Sequence, residues 1–102
     1  MIIESLDQLE TELNKPLTLV LAKTHACSIC KSTLPFLKAS VKGFEKFNVV
    51  EIYIDDNDAY RGKFMIFTVP TVMVYSEGKE LLRESRFIDP GKITRLVQMM
   101  ED

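Results

Sequence analysis

Two cysteines, the only ones in the chain, stand three residues apart in Thr24-His25-Ala26-Cys27-Ser28-Ile29-Cys30-Lys31. A C-x-x-C spacing can hold a metal, attach a haem, close a small structural loop, or cycle between dithiol and disulfide. Each use needs different company. A structural zinc site takes four ligands, and Cys27, Cys30 and His25 are the only cysteine and histidine donors, so a carboxylate would have to complete it. Attachment of c-type haem wants a histidine after the second cysteine, where Lys31 stands. A purely structural disulfide around so short a loop adds little, because the loop-closure term shrinks with loop length. Thiol–disulfide exchange needs only a difference between the two thiols.

The flanking elements predict that difference. Residues 17–22, LTLVLA, form a short continuous apolar run bounded by turn signals, the pattern of a strand buried on both faces. After the cysteines, Cys30, Leu34, Leu37, Val41 and Phe44 recur at helical spacing and make one core-facing stripe. Lys31, Lys38 and Lys42 lie off it, and Gly43 is the expected helix stop. Cys27 thus falls at the strand-to-helix turn, where free N–H groups and the helix dipole favour a thiolate. Cys30 sits one turn deeper, shielded, with the higher pKa. That asymmetry makes Cys27 the attacking thiol and Cys30 the resolving one.

The remaining elements follow from the same signals. Residues 1–3 start a short strand. Ser5 and Gln8 form a capping box ahead of a helix with Leu6, Leu9 and Leu13 on one face, ended by Asn14-Lys15-Pro16. Strands are expected over 49–54 and 71–75, a short helix over 58–64, and a hairpin turn at Ser76-Glu77-Gly78-Lys79. Residues 80–87 read as a charged edge strand. Asp89-Pro90 caps a final helix with Ile93, Leu96, Val97 and Met100 facing inward. The order β-α-β-α-β-α-β-β-α predicts an α/β fold, a mixed central sheet flanked by helices on both faces, in a single domain over residues 1–102.

Bulk properties bound the function. The chain has 102 residues, 46% apolar and 27% charged, with a net charge near −2, which points away from nucleic acid and anionic membranes. The N-terminus lacks the basic start and apolar run of a signal peptide, and no stretch approaches the roughly 18 residues of a membrane span. A soluble, cytoplasmic protein is expected, where paired cysteines are more often catalytic or metal-binding than structural.

The sequence resembles the thioredoxin family. Lys31 and Pro35 in CSICKSTLP are similar to that family's kinked active-site helix, and a proline within a helix is expected to bend it on chemical grounds alone. Thr68-Val69-Pro70-Thr71 followed by VMVYSEGKE resembles its cis-proline loop, strand and hairpin. The resemblance implies a thioredoxin-like fold, a cis Pro70 beside the cysteine pair, and a Val69 backbone that pairs with an extended substrate. It implies no bound cofactor and no metal. Substrates would be disulfide-containing proteins or small thiols, with a reductase or a low-molecular-weight thiol as electron donor, in the service of cell redox homeostasis.

The departures matter equally. Familiar thioredoxins carry Trp-Cys-Gly-Pro-Cys; here Ala26 replaces the tryptophan and Ser28-Ile29 the Gly-Pro, and the chain has no tryptophan. Leu21 stands where the family has a buried aspartate, and Glu51 where its lysine partner lies. Arg86, beside Phe87, aligns with a glycine of the substrate-groove loop, so Arg86 and Phe87 join Val69, Pro70, Ala26 and the apolar Ile29 as substrate-contact candidates. Glu51, in an otherwise apolar strand, would accept the Cys30 proton with a pKa raised by desolvation, or else pair with Lys23. His25 would lower the Cys27 pKa by its charge, or else face solvent. The leading expectation is a protein-disulfide oxidoreductase. The alternatives are a thioredoxin-like redox-sensing or interaction module, and a metal carrier using Cys27 and Cys30, with or without His25.

Overall fold

The computed structural model describes residues 1–101; Asp102 lies outside the described residues. Helix α1 (Leu6–Leu13) leads into β1 (Thr18–Lys23), α2 (Cys30–Ser40), a 3-10 turn (Phe44–Lys46), β2 (Asn48–Tyr53), α3 (Asp58–Phe64), β3 (Thr71–Ser76), β4 (Lys79–Ser85) and α4 (Pro90–Glu101). The strands form one sheet in the order β2-β1-β3-β4, with β1 parallel to β2 and antiparallel to β3. Strand β4 returns antiparallel to β3 as the charged edge.

The apolar run of β1 is buried on both faces, and strand alternation divides the interior in two. Val20 and Ala22 join Leu9 and Leu13 of α1 and Tyr60 of α3 on one side. Leu19 and Leu21 join Leu37 of α2 and Ile93 and Val97 of α4 on the other. The expected stripe of α2 reaches the second core through Leu34 and Leu37. In α4 the stripe ends at Val97, and Met100 is exposed because the helix runs past the core.

The N-terminal strand contracts to a single parallel bridge between Ile2 and Glu51. Two hydrogen bonds hold it, Ile3 N–H to the Glu51 carbonyl at 2.9 Å and Glu51 N–H to the Met1 carbonyl at 2.8 Å. Ser5 then turns the chain into α1, which leaves no length for more. The Ser5 hydroxyl accepts from the Gln8 N–H, while Gln8 reaches back to the Glu4 N–H, one residue earlier than a reciprocal capping box. Helix α2 stops at Ser40. Gly43, at φ 84°, opens the 3-10 turn instead of ending the helix, and a Cβ there would lie 2.9 Å from Val97 Cγ1. The hairpin uses two left-handed residues, Glu77 and Gly78, as the twist of a tight β-turn demands. Its tip docks on the end of α1 through Gly78 N–H to the Leu13 carbonyl. Strand β4 ends at Ser85, two residues short of the expected end, because Arg86 turns left-handed.

At the end of the sheet remote from the cysteines, a buried polar cluster ties α1 to β1 and β2. The Glu12 carboxylate accepts from Lys15 Nζ at 2.9 Å and Asn48 Nδ2 at 3.0 Å, and Thr18 Oγ1 donates to the Glu12 carbonyl. The Lys15 and Asn48 hydrogen bonds hold the Glu12 carboxyl below its ordinary range. As pH falls the unfolded chain takes up this proton before the folded one. The stabilisation is therefore complete above about pH 5 and is lost as pH falls through the depressed folded-state value. Glu12→Ala should lower stability at pH 7 by about 1 kcal/mol by removing the acceptor of the half-buried Asn48 amide and of the exposed Lys15 ammonium. Urea unfolding at pH 7 and pH 3 checks this, and the gap between the two proteins should narrow at the lower pH.

Candidate active site

Strand β1 delivers the chain to a tight turn in which the Cys27 N–H bonds the Thr24 carbonyl at 3.2 Å. Helix α2 begins at Cys30 itself, and Ile29 at its N-cap position supplies no side-chain hydrogen bond. The Cys27 sulfur takes over that task, accepting from the Cys30 N–H at 3.3 Å. An orphan donor of the helix start thus points at the sulfur, which is the electrostatic arrangement that favours a thiolate. The two residues are joined in a disulfide, with Cα atoms 5.4 Å apart. Cys27 is partly exposed whereas Cys30 is 2% exposed. The Ile29 carbonyl is braced by the Ser32 N–H and by the hydroxyls of Ser32 and Thr33. Pro35, inside α2, removes the N–H that would have bonded the Lys31 carbonyl.

The Val69–Pro70 peptide bond is cis, and Pro70 is buried. Thr71 Oγ1 donates to the Thr68 carbonyl at 2.7 Å, and the Arg86 N–H to the Pro70 carbonyl at 2.8 Å, so the 68–71 and 85–87 turns brace each other. Among the described residues, neither the N–H nor the C=O of Val69 has a hydrogen-bond partner. Arg86 holds φ at 65°, a left-handed conformation that costs a non-glycine residue about 1 kcal/mol. Its Nε donates to Thr68 Oγ1 at 3.2 Å. A groove of about 260 Å³ runs from Ile29 and Phe36 of the helix to Arg86, Phe87 and Ile88 of the loop. Its rim exposes Ile29, Phe36 and Phe87, the last 90% exposed. Ala26 is also exposed, beside Cys27.

Glu51 is the register partner of Leu21, so both project to the face that α2 covers. Its carboxylate accepts from Lys23 Nζ at 2.7 Å, with both side chains less than one-fifth exposed. Burial pulls the Lys23 ammonium down, but the interactions with Glu51 and Tyr53 outweigh it and hold the pKa above its usual value. Lys23 also lies 4.8 Å from the centre of the Tyr53 ring. His25 stacks on the same ring, 3.8 Å between centroids and 5° between planes. The His25 Nε2 lies 2.9 Å from Asp56 Oδ1, and its backbone N–H bonds Asp55. His25 is thus gathered with Asp55 and Asp56, an exposed group of three that excludes both cysteines. The form of the metal-carrier alternative that adds His25 to the two thiols is not brought together by the structure.

Sequence reasoning overlooked three neighbours. Phe36 is an aromatic off the buried stripe of α2, a signal that was present. Tyr53 and Thr68 carry no local signal, since each meets its partner across the fold.

The comparisons with known proteins agree with this geometry. The family model described as Thioredoxin matches residues 2–102. The chain is 36% identical over 62 residues to thioredoxin-like protein YdfQ of Bacillus subtilis, covering 61% of this chain and 55% of that protein, so it spans about half the length of that relative. It is 28% identical over 95 residues to thioredoxin of Mycoplasma genitalium, covering 92% of this chain and 93% of that one. A mutant thioredoxin from Halobacterium salinarum shares the fold with a TM-score of 0.82 at 16% identity, covering 100% of this chain and 90% of that one. A C-x-x-C pair closed as a disulfide in this setting supports thiol–disulfide oxidoreductase chemistry. The match extends far beyond the motif, and the chain belongs to the thioredoxin family.

Proposed function

We propose that this protein is a protein-disulfide reductase whose working group is the Cys27–Cys30 dithiol, carried by one thioredoxin-like domain over residues 1–102. The observation that carries the reading is the asymmetry of the pair: Cys27 is accessible and receives a helix-start N–H, while Cys30 is buried directly behind it. In the reduced protein the Cys27 thiolate attacks one sulfur of a substrate disulfide. The S–S bond breaks, one substrate thiolate leaves, and a mixed disulfide forms. Cys30 loses its proton and attacks the Cys27 sulfur, which releases the second substrate thiolate and closes the Cys27–Cys30 disulfide. Two electrons pass from the dithiol to the substrate, so no bound cofactor is required. A reductase or a low-molecular-weight thiol returns them, and the cytoplasm is the compartment that keeps such a dithiol reduced.

The unpartnered N–H and C=O of Val69 suit an extended substrate segment that adds to the loop as a short strand, with Pro70 beneath it. Ala26 and Ile29 supply contact surface beside the sulfur. Glu51 is the proton acceptor for Cys30, placed on the neighbouring strand because Leu21 offers none. The Lys23 contact favours a second reading, in which Glu51 is a structural counter-ion and the pair cycles slowly as a redox sensor.

In an insulin reduction assay, Cys27→Ser should abolish turnover, and Cys30→Ser should accumulate the mixed disulfide, seen by mass spectrometry. Glu51→Gln should slow release of product from a preformed mixed disulfide by about tenfold or more at neutral pH; an unchanged rate in stopped flow leaves Glu51 as the partner of Lys23 only. His25→Ala should leave the Cys27 thiol pKa in place, read from the pH dependence of alkylation, because its ring is committed to Tyr53 and Asp56. The same substitution should speed hydrogen exchange at the Cys27 amide by freeing the loop.

A further inference from the structure

The groove beside the cysteine pair combines features with no evident role in the fold. Ile29, Phe36 and Phe87 form an apolar rim open to solvent, where folding would have buried such side chains. Arg86 holds a conformation that glycine adopts freely, so something other than backbone preference accounts for the side chain at this position. Its backbone N–H bonds the Pro70 carbonyl and its Nε bonds Thr68 Oγ1, which aims the guanidinium while leaving the two terminal nitrogens open. Among the described residues Arg86 has no carboxylate partner. Asp89, the nearest acid along the chain on the α4 side, is committed to the Gly91 N–H at the start of α4, and Glu84 pairs with Lys92. Lys31, at the head of α2, is a second exposed cation without a carboxylate partner among the described residues.

We propose that Arg86 and this groove select the substrate: an extended protein segment bearing a disulfide, with one bulky apolar side chain seated between Phe36 and Phe87 and an adjacent carboxylate held by the Arg86 fork. The inference rests on the reductase reading and names its substrate class. Charge complementarity identifies the occupant. An aimed guanidinium with two free terminal nitrogens matches a carboxylate in bidentate geometry. The apolar rim calls for a large side chain next to it, which a small polar disulfide lacks. The unpartnered Val69 backbone accounts for an extended chain between the two. The groove volume of about 260 Å³ has room for one large side chain.

The test uses cystine peptides that differ at single positions, Leu-Glu, Leu-Lys and Ala-Glu beside the disulfide, with hydroxyethyl disulfide as a small substrate without side chains. The reduced protein should turn over the Leu-Glu peptide with a kcat/KM about tenfold above that of the Leu-Lys peptide, and the ratio should fall as salt rises. Arg86→Gly should bring that ratio close to one, and Arg86→Lys should keep part of it. Glycine suits φ 65°, so the variant should fold, and thermal unfolding verifies this. Phe87→Ala should reduce the preference for Leu-Glu over Ala-Glu without erasing the charge preference. A Glu-to-Lys ratio that Arg86→Gly leaves intact, or no discrimination by the unmodified protein, overturns the inference while the reductase reading stands. Failure to reduce insulin and every one of the peptides overturns both. Concentration-dependent dimerisation lost in Phe87→Ala, with peptide discrimination unchanged, shows instead that the rim receives a second copy of the chain, and also overturns it.

Discussion

Burial of β1 on both faces governs the rest of the molecule. Leu19, Val20, Leu21 and Ala22 are fully enclosed, so helices must cover the sheet from either side, and the strand can neither slip nor tilt without exposing one core to fill the other. The turn after β1 is therefore fixed in space, and so is the point at which α2 must start if Leu37 is to reach the second core. Cys27 lies in the interval between those two anchors. Its sulfur meets the Cys30 N–H because the strand and the helix are each held by their own packing, not because the loop prefers that shape. A geometry made in this way needs little order of its own, and Ile29 stays exposed without loosening it.

The charges around the pair follow from the same burial. A carboxylate at position 21 would be enclosed between β2 and β3, under α2, sealed from solvent and with no cation in register. Leucine there removes a desolvation cost of several kcal/mol for an ion without a partner. On β2 the carboxylate of Glu51 keeps some solvent and meets Lys23, which extends from the open end of β1. The pair is stabilised by its hydrogen bond and by the Tyr53 ring, and Tyr53 in turn seats His25. Glu51, Lys23, Tyr53 and His25 thus form a row of side chains that links the cysteine loop to β2.

Much of this was legible in the sequence because it depends on local periodicity. The continuous run at 17–22, the stripe through Leu34 and Leu37, the turn at Glu77-Gly78 and the Asp89-Pro90 start each encode their own element. The asymmetry of the cysteines followed from the same spacing. What stayed hidden depends on contacts between distant segments. Nothing near His25 announces Tyr53, and nothing near Arg86 announces Thr68. The alternative that Glu51 pairs with Lys23 was visible, since both lie on adjacent strands, but its geometry required the register. The first strand was overestimated because three apolar residues carry the pattern of a strand, while Ser5 ends it before a ladder can grow.

Strain and exposed apolar surface coincide at Arg86 and its groove, as they also do at Met65 and Phe67, and the coincidence has a thermodynamic meaning. A left-handed arginine and a solvent-exposed rim of Ile29, Phe36 and Phe87 each lower the stability of the isolated protein or gain it nothing. Elsewhere the chain solves similar problems economically: Gly43 and Gly78 take the left-handed turns where a side chain would collide, and Arg83 caps the end of α3 through the Phe64 and Met65 carbonyls. Met65 and Glu77 also turn left-handed without being glycine, but of the three only Arg86 lines the groove next to Ile29. At the groove the unfavourable choices gather on one surface, and the two cores behind it carry their cost.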